Sequence, residues 1–216
     1  MIKHILFDCD GVLVDTEYTA AQVMVKALQQ LGTEISANYF MQHYSGTTFS
    51  AILDIYAPTI IGNERIQFIH TLELEIVKKV KAVKGTNQML ASIKLPKSIV
   101  SNSEIWQVKE EIEQTKIDHF FTGHIFSSEL VQNPKPAPDV YLLAVKELGV
   151  KKNELLVIED SITGATAALA AGLQVVGFAG ASHILPGHNE KLLNLGVTEV
   201  AGNMKELQMI IASLLS

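Results

Sequence analysis

Short apolar runs alternate along the chain with longer segments whose apolar residues recur at helical spacing. This alternation is typical of βαβ units and predicts an α/β fold built on a parallel sheet. The runs that predict strands are 5–7, 98–100, 124–126, 154–158 and 174–178. The segments predicted to be helical include 20–31, 49–56, 66–80, 139–148 and 204–215.

The stretch between the first two predicted strands has helical patterning almost throughout. It covers residues 16–84, which is too long for one crossover helix between neighbouring strands. We therefore predict an inserted helical domain at 16–84. The sheet domain would then consist of 1–15 and 85–216, joined to the insertion through Asp15-Thr16 and through Val83-Lys84-Gly85.

Three of the predicted strands are followed directly by residues able to do chemistry. They are Asp8 and Asp10 after the first strand, Ser101 and Asn102 after the second, and Glu159 and Asp160 after the run 154–158. The carboxyl ends of neighbouring parallel strands meet at one edge of a sheet, where ligands bind. The sequence therefore predicts one site that contains all six side chains.

Asp8 and Asp10 are the most informative pair. Two carboxylates one residue apart repel each other unless a cation lies close by. A carboxylate can attack phosphorus as a nucleophile, and a neighbouring acid can protonate the leaving group and then activate water. Asp8, Asp160 and the backbone carbonyl of Asp10 offer the oxygen ligands that Mg²⁺ prefers, although Asp160 alone would equally suit a helix N-cap.

Ser101, Asn102 and Lys135 are candidates for phosphate binding. The hydroxyl and amide can donate hydrogen bonds to phosphate oxygens, but Ser-Asn-Ser after a strand is also typical of a turn. Lys135 lies in a stiff loop with three prolines, 133–138, where it would offset the charge of a transferring phosphoryl group. The seven histidines show no metal-ligand spacing, and we expect them at the surface or in loops.

Four motifs in order resemble those of the haloacid dehalogenase superfamily. They read F-D-C-D-G-V-L-V-D-T-E at 7–17, V-S-N at 100–102, K-P-A-P at 135–138 and V-I-E-D-S at 157–161. The resemblance implies a Rossmann-like, doubly wound core with an inserted α-helical cap domain. It also implies Asp8 as nucleophile, Asp10 as general acid and base, and Ser101 and Lys135 as phosphate ligands. Mg²⁺ would be held by Asp8, the Asp10 carbonyl and Asp160, with Glu159 in or near the next layer.

The subgroup that the chain resembles most contains phosphoglycolate, sugar-phosphate and phosphogluconate phosphatases and β-phosphoglucomutase. Gly46, Thr47 and Thr48 resemble the cap loop that approaches the active site, and with Glu17 they are expected to bind substrate. The mutases share a histidine in the first cap helix, and residues 16–21 have none, which favours hydrolysis. The presence of Asp10 argues against carbon–halogen chemistry.

Composition narrows the remaining choices. The net charge of −6 and the lack of a basic cluster argue against nucleic-acid binding, and no apolar stretch is long enough to span a membrane. Cys9 is the single cysteine, and no signal peptide is visible, so we expect a cytoplasmic protein, monomeric or dimeric.

The predicted function is a Mg²⁺-dependent phosphatase of small sugar or sugar-acid monophosphates that works through a phosphoaspartate on Asp8. The alternatives are a β-phosphoglucomutase-like phosphomutase and a catalytically silent binding protein on the same fold.

Overall fold

The computed structural model describes residues 1–44, 48–121 and 123–215. In these ranges it contains one sheet of six parallel strands in the order β3-β2-β1-β4-β5-β6. The strands are β1 His4–Phe7, β2 Lys97–Ser101, β3 Ile125–Ser127, β4 Leu155–Glu159, β5 Gln174–Phe178 and β6 Val200–Ala201. The first five agree with the predicted runs. The sequence did not predict β6, because its two residues are too few to form a pattern.

Ten α-helices accompany this sheet in the part of the chain that the structure describes. They are α1 Thr16–Gln30, α2 Ala37–Tyr44, α3 Phe49–Tyr56, α4 Gly62–Val77, α5 Thr86–Ser92, α6 Ile105–Gln114, α7 Asp139–Leu148, α8 Ile162–Ala170, α9 His188–Leu195 and α10 Met204–Leu215. None of these helices has the length and apolar character needed to cross a bilayer. The helices α5, α6 and α9 were not predicted, and α2 was expected only as part of the helical stretch 16–84, since these helices are short or largely polar.

Both faces of the sheet are covered, which gives the doubly wound arrangement predicted. In β1, Ile5 and Phe7 pack into one apolar cluster with residues of α5, α6 and α10. Leu6 points to the opposite face and packs with residues of α7, α8 and α9. All residues of β1, β2 and β4 are buried, as expected for parallel strands covered on both sides. The α/β, Rossmann-like fold class is confirmed.

The helices α1–α4 of the insertion after β1 pack around an apolar core of their own, which includes Met24, Leu28 and Ile52. The chain enters and leaves this insertion along adjacent paths. Val14 forms an antiparallel bridge with Ala82, and the Asp15 N–H donates to the Lys81 carbonyl at 2.8 Å. The domain boundaries at 15/16 and 84/85 remain a prediction.

Candidate active site

The carboxyl ends of β1, β2 and β4 open into one cavity of about 530 Å³, which we call the strand-end cavity. Eight of the predicted site residues line it. They are Asp8, Asp10, Glu17, Ser101, Asn102, Lys135, Glu159 and Asp160. The structure therefore brings together side chains as far apart in the sequence as Asp8 and Asp160, which are separated by 152 positions. They meet because neighbouring parallel strands place their carboxyl ends on one edge of the sheet.

Lys135 forms the buried centre of this group. Its Nζ donates to Asp8 Oδ1 at 2.7 Å, to Glu159 Oε1 at 2.7 Å and to the Val100 carbonyl at 2.9 Å. Burial lowers the pKa of Lys135, but the charges of Asp8 and Glu159 outweigh it and raise the pKa well above its usual value. Lys135 is therefore an ammonium ion fixed between two carboxylates.

Asp10 is oriented by three hydroxyl groups. Thr16 Oγ1 donates to Asp10 Oδ1 at 2.7 Å, Ser103 Oγ donates to Oδ2 at 2.8 Å, and Ser101 Oγ lies 3.4 Å from Oδ2. The sequence did not assign roles to Thr16 and Ser103. Thr16 opens α1 beside Asp10, whereas Ser103 is 93 positions away and only the pairing of β1 with β2 brings it near.

Glu159 has both carboxylate oxygens occupied. Oε2 accepts from the backbone N–H and the hydroxyl of Ser161, each at 3.0 Å, and Oε1 accepts from Lys135 and, at 3.3 Å, from Tyr141. A Cβ at Gly164 would lie 1.6 Å from Oε1, so only glycine leaves room for this carboxylate. These contacts hold Lys135 and the N-terminus of α8 in place.

Asp160 is held by two histidines. His183 Nε2 lies 3.2 Å from Asp160 Oδ2, and His188 Nε2 donates to the main-chain carbonyl of Asp160 at 2.6 Å. Gly11, with φ of +77°, lies so close that a Cβ there would be 1.9 Å from Asp160 Oδ2. We expected His183 and His188 only at the surface or in loops. Their contacts with Asp160 were not predicted, because these contacts form only where the chain after β5 returns to the cavity.

The acidic residues at the strand ends fit a divalent cation. Asp8, Glu159 and Asp160 each offer a carboxylate oxygen, and these oxygens lie within 4.8 Å of one another. Burial raises the pKa of Asp8 and of Asp160 well above the usual range, and the charge of Glu159 adds to the shift of both. A hard dication would offset this surplus negative charge, and an all-oxygen donor set is the one that Mg²⁺ prefers.

The other residues predicted to bind substrate lie in different parts of the structure. Asn102 fixes the Lys135 backbone, since its Oδ1 accepts from the Lys135 N–H at 3.0 Å and its Nδ2 donates to the Lys135 carbonyl at 3.2 Å. Thr48 is exposed and caps α3 by accepting from the Ala51 N–H at 3.3 Å. Gly46 and Thr47 lie outside the described residues. Substrate contact by these residues remains a prediction.

Glu111 is a buried acid behind the loop that carries Asp8 and Asp10. It lies on α6 and is 0% exposed. Gln107 Nε2 donates to Glu111 Oε1 at 2.8 Å, and Cys9 Sγ lies 3.7 Å from Oε2. Burial, reinforced by the charge of Asp10, raises the pKa of Glu111 to about 9. The carboxyl group is therefore protonated at neutral pH, which limits the negative charge beneath the site.

A Glu111→Gln substitution should change how stability depends on pH. Between the unfolded pKa of 4.5 and the folded pKa of about 9, unfolding releases the Glu111 proton, so wild-type stability falls as pH rises. The free energy of unfolding of the variant does not have this dependence. Relative to that of the wild type, it should increase by up to about 1.4 kcal/mol for each unit by which the pH rises. Urea unfolding of both proteins from pH 5 to 8.5 measures the difference, and a difference independent of pH would contradict this assignment.

The fold and the site define an α/β enzyme whose acids converge around a buried lysine. Residues 5–178 match the family model described as Haloacid dehalogenase-like hydrolase, and the chain belongs to this family. The predicted family and the prediction of a hydrolytic enzyme are confirmed.

Individual proteins resemble this chain over nearly its whole length. The 6-phosphogluconate phosphatase of Escherichia coli (strain K12) is 26% identical over 193 residues, which cover 86% of each chain. A conserved haloacid dehalogenase-like protein of Agrobacterium tumefaciens has 32% identity, covers 100% of both chains and has a TM-score of 0.84. A HAD family hydrolase of Deinococcus radiodurans, with bound phosphate and sodium, has 28% identity, covers 98% of this chain and 96% of that chain, and has a TM-score of 0.81.

Proposed function

We propose that this protein is a Mg²⁺-dependent phosphatase that hydrolyses small phosphorylated metabolites through a phosphoaspartate on Asp8. The contact between Lys135 Nζ and Asp8 Oδ1, at 2.7 Å, carries the proposal. It holds a buried carboxylate beside Asp10 without burying it as an isolated charge. The Deinococcus radiodurans relative has bound phosphate, which supports phosphate as a ligand for this chain as well.

In the first step, Asp8 attacks phosphorus and the bond from phosphorus to the ester oxygen breaks. Asp10, oriented by Thr16 and Ser103, gives a proton to the leaving oxygen. Lys135 offsets charge on Asp8 and on the phosphoryl oxygens, and the Ser101 hydroxyl donates to one of them. Mg²⁺ held by Asp8, Asp160 and the Asp10 carbonyl would reduce repulsion between Asp8 and the phosphate.

In the second step, Asp10 acts as a base and takes a proton from water. That water attacks phosphorus, phosphate leaves and Asp8 is regenerated as a carboxylate. Proton transfer in both directions requires Asp10 to stay in place while its charge changes. The two short hydrogen bonds from Thr16 and Ser103 meet this requirement.

We also propose that residues 16–84 act as a cap over the core formed by 1–15 and 85–216. The separate apolar core of α1–α4 and the paired chain at Val14 and Ala82 support this division. Glu17 on α1 lines the strand-end cavity together with Asp8. A cap in this position would limit access of water and of large substrates to Asp8. We place the enzyme in the cytoplasm on the basis of its single, buried cysteine.

Phosphate release from p-nitrophenyl phosphate and from sugar monophosphates tests the proposed function. We expect release with Mg²⁺, loss of release with a chelator, and recovery when Mg²⁺ is added in excess. Release that is unaffected by the chelator would contradict the metal requirement. No release, with interconversion of a hexose phosphate in the presence of a bisphosphate, would show a phosphomutase instead.

A further inference from the structure

A second cavity of about 310 Å³ adjoins the strand-end cavity, and we call it the cap cavity. Asp10 and Glu17 line both cavities, whereas the rest of the cap-cavity wall comes largely from α1, α2, α3 and α4. Asp10 is the proposed proton donor to the leaving oxygen. The group attached to that oxygen therefore has to extend from Asp10, and the cap cavity is the space that the insertion provides there.

Acidic side chains line the cap cavity. Its described lining includes three acidic residues, Asp10, Glu17 and Glu73, and no lysine, arginine or histidine. Residues 45–47 precede α3 and are Ser, Gly and Thr in the sequence, so they add no cation. In the described ion pairs, Glu73 has the exposed His70 as its partner, with Nδ1 3.8 Å from Glu73 Oε2, and His70 lies outside the lining.

This lining would bind a second anionic group poorly. Glu73 is partly buried, and burial followed by the charge of Glu104 raises its pKa, which shows that the surroundings already disfavour negative charge. A carboxylate on the leaving group would bring a second negative charge close to Glu73, and like charges brought together in this way oppose binding.

The remaining wall suits an uncharged group with carbon–hydrogen and hydroxyl surfaces. Phe40, Tyr44 and Phe49 contribute aromatic surface, and Gln107 and Ser103 contribute groups that donate and accept hydrogen bonds. Aromatic faces provide apolar contact for the carbon–hydrogen surface of a sugar or polyol, and a few polar groups fix orientation in such pockets.

We propose that this enzyme selects monophosphates whose leaving group is an uncharged sugar or polyol and discriminates against those whose leaving group carries a carboxylate. This inference rests on the proposed phosphatase function and narrows it. The proposed preference differs from the substrate in the name of the Escherichia coli 6-phosphogluconate phosphatase, to which this chain is 26% identical. Within the predicted class of sugar or sugar-acid monophosphates, it favours the sugars.

Two substrates with the same carbon skeleton provide the test. Sorbitol 6-phosphate and 6-phosphogluconate differ in a terminal CH₂OH and a carboxylate. With Mg²⁺ at neutral pH, we expect kcat/KM for sorbitol 6-phosphate to be at least about tenfold higher, the size expected for one unfavourable charge contact. Equal or higher kcat/KM for 6-phosphogluconate would overturn the inference.

p-Nitrophenyl phosphate separates this result from failure of the proposed function. If it is hydrolysed in an Asp8-dependent way and 6-phosphogluconate is preferred, the phosphatase assignment stands and the inference about the leaving group fails. If p-nitrophenyl phosphate and both sugar derivatives are untouched, the proposed function fails and the inference fails with it.

A Glu73→Gln variant tests whether the cap cavity is responsible. Removing this charge should shift the ratio of kcat/KM values by at least about threefold toward 6-phosphogluconate, because the change relieves repulsion for that substrate alone. Glu64→Gln, an exposed position on the same helix, should leave the ratio unchanged. A general structural effect of Glu73→Gln would lower both values together, and an unchanged ratio would overturn the assignment of selectivity to this cavity.

Discussion

An Asp8→Asn variant is expected to release phosphate at least about 10⁴-fold more slowly than the wild type, a loss typical when a central catalytic side chain is removed. The asparagine side chain has nearly the same shape, but its amide is a poor nucleophile and cannot form the acyl phosphate. The substitution also removes one of the carboxylates that fit the metal. Initial rates with p-nitrophenyl phosphate and with a sugar monophosphate measure the effect.

The fold should survive this substitution, which makes the loss of activity interpretable. Lys135 keeps its contacts with Glu159 Oε1 and with the Val100 carbonyl when the side chain at position 8 becomes neutral. The matched control is Asp118→Asn, which changes an exposed acid outside the cavity lining and should retain full activity. Activity of Asp8→Asn within about tenfold of the wild type would rule out Asp8 as the nucleophile.

A Lys135→Met variant should lose about 3–5 kcal/mol in the free energy of unfolding, more than any other variant that we describe. The methionine fills similar volume but leaves Asp8 and Glu159 without their shared cation. Glu159 is 0% exposed and Asp8 is 7% exposed, so little water can reach them to replace the ammonium group. Chemical denaturation at pH 7, in the presence of a chelator, measures the change.

The pH dependence of Lys135→Met distinguishes loss of charge from loss of packing. Without Lys135, the pKa of the buried Asp8 carboxyl is raised further above its unfolded value, so the penalty is present at neutral pH and shrinks as pH falls. Lys146→Met, an exposed lysine on α7, should change stability by no more than about 0.5 kcal/mol. A similarly small change at Lys135 would show that its charge does not hold the site together.

The central strands and the strand-end residues were predictable because their signals are local. The buried runs around Ile5 and Leu156 are unbroken apolar segments, and Asp8 and Asp160 follow strand ends directly in the sequence. Parallel pairing then determines that these ends share one edge. Only the residues that each strand presents at that edge need to be read from the sequence.

The parts that were missed depend on contacts between distant segments. Ser103 orients Asp10 from 93 positions away, and Glu111 contacts Cys9 from 102 positions away. The sequence around Asp10 or around Glu111 contains no pattern that would predict either contact. Asn102 forms a further contact of this kind, because its side chain fixes the Lys135 backbone across 33 positions. Its contact with phosphate remains a prediction.

The histidines illustrate a second limit. His183 and His188 lie after β5, where the sequence shows no strand or helix pattern, so spacing gave no reason to connect them with Asp160. Their roles follow from how this segment folds back over the carboxyl end of β4. The cap cavity, for which we propose a role in substrate selection, was not predicted for the same reason, since it is assembled from α1–α4, α6 and the loops beside Asp10.

Chemical trapping of the acyl phosphate is the most direct test of the central claim that Asp8 is the nucleophile. Enzyme is quenched in acid during turnover, reduced with borohydride and digested, and the peptide containing residues 1–15 is examined by mass spectrometry. Because borohydride reduces an acyl phosphate to an alcohol, we predict conversion of Asp8 to homoserine only in samples that contain substrate and Mg²⁺. An acyl phosphate trapped on another carboxylate, with Asp8 unmodified, would contradict the account.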